Sequence, residues 1–310
     1  MNKPIWCFWV LLMPAYLLLP AIADDAPYYH TVDAEVRMEG RSDKEEKWQY
    51  RLRYYPTITL TDDDSLSVNG LITTGSGFNS THNSLDGSAE PIYLRRLFLR
   101  KSYGKGKTEI GVLPTYKGSI SLSGLSKDGW IKGIRQVVQQ DEDSAFELVV
   151  GNLENLDAAH ALDFPDELNY FELEYSTALD DGQSMEASIE RMLSGNFIRL
   201  EYKYDLGEEH AGTIEWVQRI DDSQTKMVAG FTGELDTRVG LLGYATYYSY
   251  TSEGFGPRGT LTEEFIDTGH GYSLDFFGTL SGVPNTSWFL GYDTVDGTHR
   301  VQIGINVFLD

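Results

Sequence analysis

Cysteine is all but missing from this chain: Cys7 is the single one in 310 residues. No disulfide can form within it, so a secreted form must be held together by packing and hydrogen bonds. Positive charge is scarce as well. The 25 Lys and Arg stand against 47 Asp and Glu, a formal net charge of −22, which argues against nucleic acid as a partner. Beyond residue 23 no apolar run approaches the about 18 residues of a membrane-crossing helix. Catalytic motifs are lacking too. There is no G-x-S-x-G elbow, no H-E-x-x-H and no Gly-rich phosphate loop, and the six histidines are scattered without metal-ligand spacing. Asp62-Asp63-Asp64 lacks the Gly and distal Glu of a calcium loop and reads as a solvated turn. No cofactor, metal or catalytic residue is expected.

The apolar run that does exist is N-terminal. Lys3 precedes a greasy stretch from Ile5 to Leu19, and Ala21-Ile22-Ala23 stands before Asp24-Asp25. That is the form of a secretory signal peptide over residues 1–23. The alternative is a retained anchor helix, although Pro14 and Pro20 interrupt the run. Residues 24–310 are expected to form one domain.

What is abundant is alternation. In Phe197–Leu206, Ile198, Leu200, Tyr202, Tyr204 and Leu206 share one face, and Arg199, Glu201, Lys203 and Asp205 share the other. Side chains alternate with period two along a strand, so this segment has one greasy and one charged face. Ten tilted residues of strand would cross about 25 Å of hydrocarbon. The pattern recurs along the chain: Val32–Met38 alternates with Asp33, Glu35, Arg37 and Glu39, and Tyr50–Leu60 alternates with Arg51 and Arg53 after a polar run from Gly40 to Lys47. Connections near 62–65, 104–107, 141–144, 180–183, 207–210, 234–237 and 281–285 are uniformly short, and the intervening set contains every long loop. With no helix able to span, a membrane-crossing form must be a closed sheet. The expectation is an all-β, transmembrane, antiparallel up-and-down β-barrel of sixteen strands, or fourteen if two segments are loop ribbons. Short turns would face the periplasm and longer loops the exterior. A soluble all-β sheet is the competing reading. Arg95, Arg96 and Arg135 break the alternation in strands 92–103 and 130–140, whose faces stay unassigned.

On these features (the signal form, the short-turn and long-loop rhythm, the absence of cysteine after Cys7, and the final amphipathic strand His299–Leu309) the chain resembles a bacterial, Gram-negative outer-membrane porin. The resemblance implies the cell outer membrane, a water-filled channel for small hydrophilic solutes, contact with outer-membrane lipid and lipopolysaccharide, and a homotrimer. Two features depart from the family's pattern. The chain ends Phe308-Leu309-Asp310 rather than on an aromatic residue, and the segment best placed to fold inward, Tyr116–Asp128, has Asp128 as its only acid.

With the apolar faces toward lipid, the candidate pore lining is Arg51, Arg53, Glu172, Glu174, Glu186, Glu190, Arg199, Glu201, Lys203, Asp205, Glu215 and Arg219. Rings of charge set selectivity in pores. The acid excess predicts a cation-leaning channel, with Arg51, Arg53 and Arg199 as a basic wall. The alternatives are charges paired into ladders that fill a non-conducting barrel, a rim enzyme of lipase or protease type using the His82 or His270 loops, or a structural or adhesion protein.

Overall fold

The computed structural model describes residues 28–86, 91–115, 124–179, 182–207, 209–237, 240–262 and 268–309. The expected signal peptide, residues 1–23, lies outside them. Sixteen strands make one antiparallel wall: β1 Tyr28–Arg41, β2 Lys44–Thr59, β3 Leu66–Thr73, β4 Tyr93–Tyr103, β5 Gly106–Pro114, β6 Trp130–Gln139, β7 Ser144–Asn152, β8 Tyr170–Ala178, β9 Gln183–Met192, β10 Gly195–Gly207, β11 His210–Arg219, β12 Thr225–Thr237, β13 Gly240–Thr251, β14 Gly269–Thr279, β15 Thr286–Val295 and β16 Thr298–Leu309. Each strand pairs with the next, and β1 closes the ring on β16 from Val32↔Leu309 to Arg41↔Arg300. A closed sheet has no edge, so every strand finds both its ladders. A two-residue ribbon, Asn83–Ser84, adds to β2 from within a loop.

Burial along the strands separates this barrel from a soluble sandwich. On β10, Leu200 is 44% exposed while Arg199 is 2% and Glu201 6%. The order is the same elsewhere: Ile58, Ile110, Ile189, Ile214, Phe231 and Ile303 are open to the surroundings, and the charged partners of their strands are covered. A water-soluble sheet would show the reverse. Tyrosines crown the outer surface near the strand ends, where the Tyr244, Tyr248 and Tyr292 hydroxyls lie 3.1, 2.8 and 2.9 Å from Nδ1 of His210, His270 and His299. Amphipathic rings suit the boundary between hydrocarbon and water.

The two ends differ as the spacing predicts. Turns at one end are short, and their acids are well solvated: hydrogen bonds from Ser65 and Thr61 hold the Asp63 carboxyl down at about 2. The long connections 74–92, 115–129, 153–169 and 252–268 all fall at the other end. There the described segments interlock. Ala158 N–H donates to Ser76 O at 2.9 Å, Asn79 Nδ2 to Thr260 O at 2.8 Å, and Ser126 N–H to Leu261 O at 2.9 Å. Beneath them lies the protein's apolar core, with Phe78 against Trp130 (5.1 Å between rings) and Phe255 against Phe197 (5.5 Å). The core therefore caps one end of the barrel rather than filling a sandwich.

Local exceptions have local causes. The polar run Gly40–Lys47 is mostly strand, because Arg41 and Lys44 still pair and only residues 42–43 turn. Pro56 sits where the β2–β3 ladder is interrupted, and Gly70 leaves it room: a Cβ there would lie 3.1 Å from Pro56 Cγ. The register shifts opposite Leu71 and Ile72, so one extra residue of β4 bulges and both Arg95 and Arg96 are buried. That bulge is why the faces of 92–103 could not be assigned from alternation. Farther round, Gly111, Gly133 and Gly151 are direct neighbours across β5, β6 and β7. A Cβ on Gly133 would fall 2.1 Å from Val150 O, so the strands approach as only glycine allows.

Candidate functional site

The charged faces of the strands all turn into the barrel, where they group by position. The first group lies on β1–β4 and the loop segments folded against them. Arg51 Nη2 reaches Glu35 at 2.7 Å and Asp33 at 3.1 Å, and Arg53 bridges Asp33 (3.3 Å) and Asp128. Arg37 pairs with Glu39 and donates to Gln49 at 2.8 Å. Arg95 donates to the carbonyls of Gly75 and Ser80 at 2.7 and 3.2 Å, and Arg96 to the Gly129 carbonyl. These arginines pin two inward segments, 74–86 and 124–129, to the wall. Burial pushes the Asp128 carboxyl up, but Arg53 and Arg51 outweigh it and hold it below the usual carboxylate range. Asp128, the only acid expected in the inward loop, is thus spent on fixing that loop. Residues 116–123 of it lie outside the described residues.

His82 completes this group. Its Nε2 is 2.7 Å from Glu35 Oε1, and its Nδ1 is 3.3 Å from Ser80 Oγ. Hydroxyl, imidazole and carboxylate line up, yet the Ser80 hydroxyl also accepts the backbone N–H of His82 at 3.3 Å, an ordinary turn contact. The imidazole is 4% exposed, with Arg37 and Arg51 close by. The set works as a latch for the loop. His270, the other histidine considered for a rim enzyme, lies on the outer surface against Tyr248 and Tyr250. Among the described residues no three potential ligands converge on a metal position.

The second group lies on β8–β11, about half-way round the ring from β1–β2. Arg199 is its hub: its guanidinium reaches Glu174 at 3.1 Å, Glu186 at 2.9 Å, Glu201 at 2.7 Å and also Glu215. Glu190 takes Arg258, from the short helix α1 (Pro257–Thr260), at 2.7 Å, and Glu172 accepts from the buried Tyr170 hydroxyl at 2.6 Å. Burial pulls the Arg258 guanidinium down, but Glu190 and Glu215 carry it above its ordinary value, so it stays charged. Six glutamates (172, 174, 186, 190, 201, 215) thus meet two arginines (199, 258), which leaves four formal negative charges on this wall. Around β1–β4 the five arginines 37, 51, 53, 95 and 96, with Lys47 at 3.0 Å from Glu39, face Asp33, Glu35, Glu39 and Asp128, leaving two positive. The two walls oppose each other across the interior.

Arg199 therefore does not join Arg51 and Arg53 in a basic wall; strand position puts it among the acids. Lys203 and Asp205 share its face but sit exposed toward the short-turn end. Arg219 is at the loop-end rim, bound to Asp221 at 3.1 Å, Asp222 at 2.9 Å and the Gly254 carbonyl at 2.9 Å. Sequence reasoning passed over a third group, in which Glu109 takes Arg100 (2.7 Å), Lys107 (3.3 Å) and Arg135 (2.9 Å) and Arg135 reaches Glu147 (3.1 Å). It also passed over Asp293 and Arg300, 2.6 Å apart. The signal for both was present: Glu109 is opposite Arg135, and Asp293 opposite Arg300, once register is known.

No family model and no curated protein matches the chain. Solved structures do. A five-substitution variant of Rhodopseudomonas blastica porin aligns with a TM-score of 0.65 at 9% identity, covering 91% of this chain and all of that one. A triple mutant of the same porin gives 0.64 at 9% identity, and a third variant 0.64 at 10%, with the same coverage. At such identity the likeness is one of fold: this chain has the architecture of a porin, a sixteen-strand barrel.

Proposed function

We propose, starting from that porin-type barrel, that the protein is an outer-membrane channel through which small hydrophilic solutes diffuse passively, with a preference for cations. The observation that carries the reading is the asymmetry of the interior. A formal excess of four negative charges in the Arg199–Arg258 cluster of β8–β11 stands opposite a slightly positive, arginine-studded wall on β1–β4. In a low-dielectric enclosure such an arrangement raises the local concentration of cations. It also orients dipolar solutes across the path and disfavours large apolar ones, whose passage would strip water from both walls. Sixteen strands leave a lumen wider than side chains alone can fill, which supports conduction over a packed ladder of ion pairs. The enzyme alternative finds no support in the latched His82 or the lipid-side His270. A homotrimer remains part of the reading by resemblance alone.

Planar-bilayer recording of refolded protein under a salt gradient tests it. Stable conductance steps with a reversal potential on the cation side are expected. A folded barrel that never conducts would sink the channel reading and return the search to a structural or adhesive role.

A further inference from the structure

The outward faces of the strands, from β1 to β16, carry almost no charge. Glu46, beside the β1–β2 turn, is their only carboxylate among the described residues, and Arg191 their only arginine. Arg191 follows the inward Glu190 on β9 and is placed opposite Phe171 on β8 and Asn196 on β10. Its side chain is exposed and has neither an ion pair nor a hydrogen bond among the described residues. A groove of about 820 Å³ opens around it, floored by Val150, Phe171, Ile189, Ile198 and Ile220. Of the two acidic residues beside it, Glu190 is turned inward onto Arg258 at 2.7 Å, and Asp221 is held by Arg219 Nε at 3.1 Å and by the Asn196 N–H at 2.8 Å.

A guanidinium on a hydrocarbon-facing surface is costly unless it meets a counter-ion near the interface. Arg191 lies one residue from the loop end of β9, where the headgroups of that leaflet would be. A neighbouring copy of the chain offers from its strand faces a single carboxylate, Glu46 beside the β1–β2 turn, and no acyl chains to cover the apolar floor. A phosphorylated lipid supplies both halves, an anionic headgroup for a planar fork that binds phosphate well and acyl chains for the apolar floor. We propose that this groove is a binding site for one phosphate-bearing membrane lipid of the loop-end leaflet, its phosphate on Arg191 and its chains along Phe171, Ile189, Ile198 and Ile220. This rests on the barrel spanning a membrane.

The test is native mass spectrometry of the folded barrel in mild detergent, titrated with dioleoyl phosphatidic acid or dioleoylglycerol. One phosphatidic acid should be retained about tenfold more tightly than the diacylglycerol, and the preference should vanish in R191Q but survive in K101Q, which alters an outward lysine on β4. Equal retention by wild type and R191Q overturns the site. So does displacement of the lipid by millimolar inorganic phosphate, which would mean an anion site without chains. R191C places a lone thiol outside the signal region, and its cross-linking to a second copy in membranes would reassign the groove to contacts between barrels. R191Q should conduct like wild type, so a wild type that conducts but shows no preference for phosphatidic acid refutes only this site, whereas loss of conductance in both strikes the channel reading.

Discussion

A single guanidinium holds the acidic wall together. Arg199 is 2% exposed and touches four glutamates, so its removal leaves buried carboxylates without a counter-charge. Breaking a buried pair this way costs about 3–5 kcal/mol. R199M should lose that much stability in urea unfolding in micelles, followed by tryptophan fluorescence, and a loss under about 1 kcal/mol would mean that the acids are well solvated. His82 sets a pH dependence. Burial holds its imidazole below the ordinary 6.5, against the upward pull of Glu35, and Arg37 and Arg51 also press it down. A released loop would take up the proton at the ordinary value. Docking of residues 76–84 is therefore firm above that value and weakens as pH falls through about 6.5. Protection of this segment against hydrogen exchange, taken relative to the intrinsic rate at each pH, should fall on acidification in wild type and stay constant over the same change in H82Q. At this scale the sequence was half legible. The inward set, Glu172 through Glu215, followed from period two, but which charges share a wall depends on strand position around the ring. Arg199 was misplaced for that reason.

Strands were the most legible elements, because one greasy and one charged face recur in nearly every one. The exceptions are elements whose geometry depends on a neighbour. The bulge at Arg95–Arg96 reads in sequence as a defect, since nothing local says which residue is extra. The glycine row 111–133–151 is equally silent until register aligns it. G133A should destabilise the barrel by on the order of 3 kcal/mol, because its methyl would meet the Val150 carbonyl and the Gly151 Cα. G104A, at a turn with nothing within 4 Å, should stay within about 0.5 kcal/mol of wild type. The fraction migrating as folded barrel in unheated gel samples reports both, and equal behaviour would refute the close approach. The loop-end cap was invisible for a related reason: Phe78, Trp130 and Phe255 are far apart in sequence, and loops carry no periodicity to read.

For the whole molecule, closure and charge asymmetry belong together. Only a ring sets β8–β11 facing β1–β4; the same strands in an open sheet would put the two charge groups on one face, three strands apart. Neutralising part of one wall should then act on permeation as a whole. E201Q with E215Q cuts the formal excess on the acidic wall from four negative charges to two, and the reversal potential should move toward zero while unitary conductance changes little. A conductance collapse at unchanged selectivity would show these residues to be structural supports. The ring itself was foreseeable, since a chain with two-faced strands and no spanning helix has few other ways to satisfy its backbone.

The alternation of faces has one more consequence, for the journey rather than the destination. A segment is retained in a lipid bilayer when about 18 apolar residues follow one another. Here greasy residues come singly or in runs of two or three between polar ones, so no stretch of the unfolded wall would be trapped in a membrane it had to cross. The hydrophobicity of this surface comes into being only when neighbouring strands pair, and so it appears at the moment and in the place of assembly.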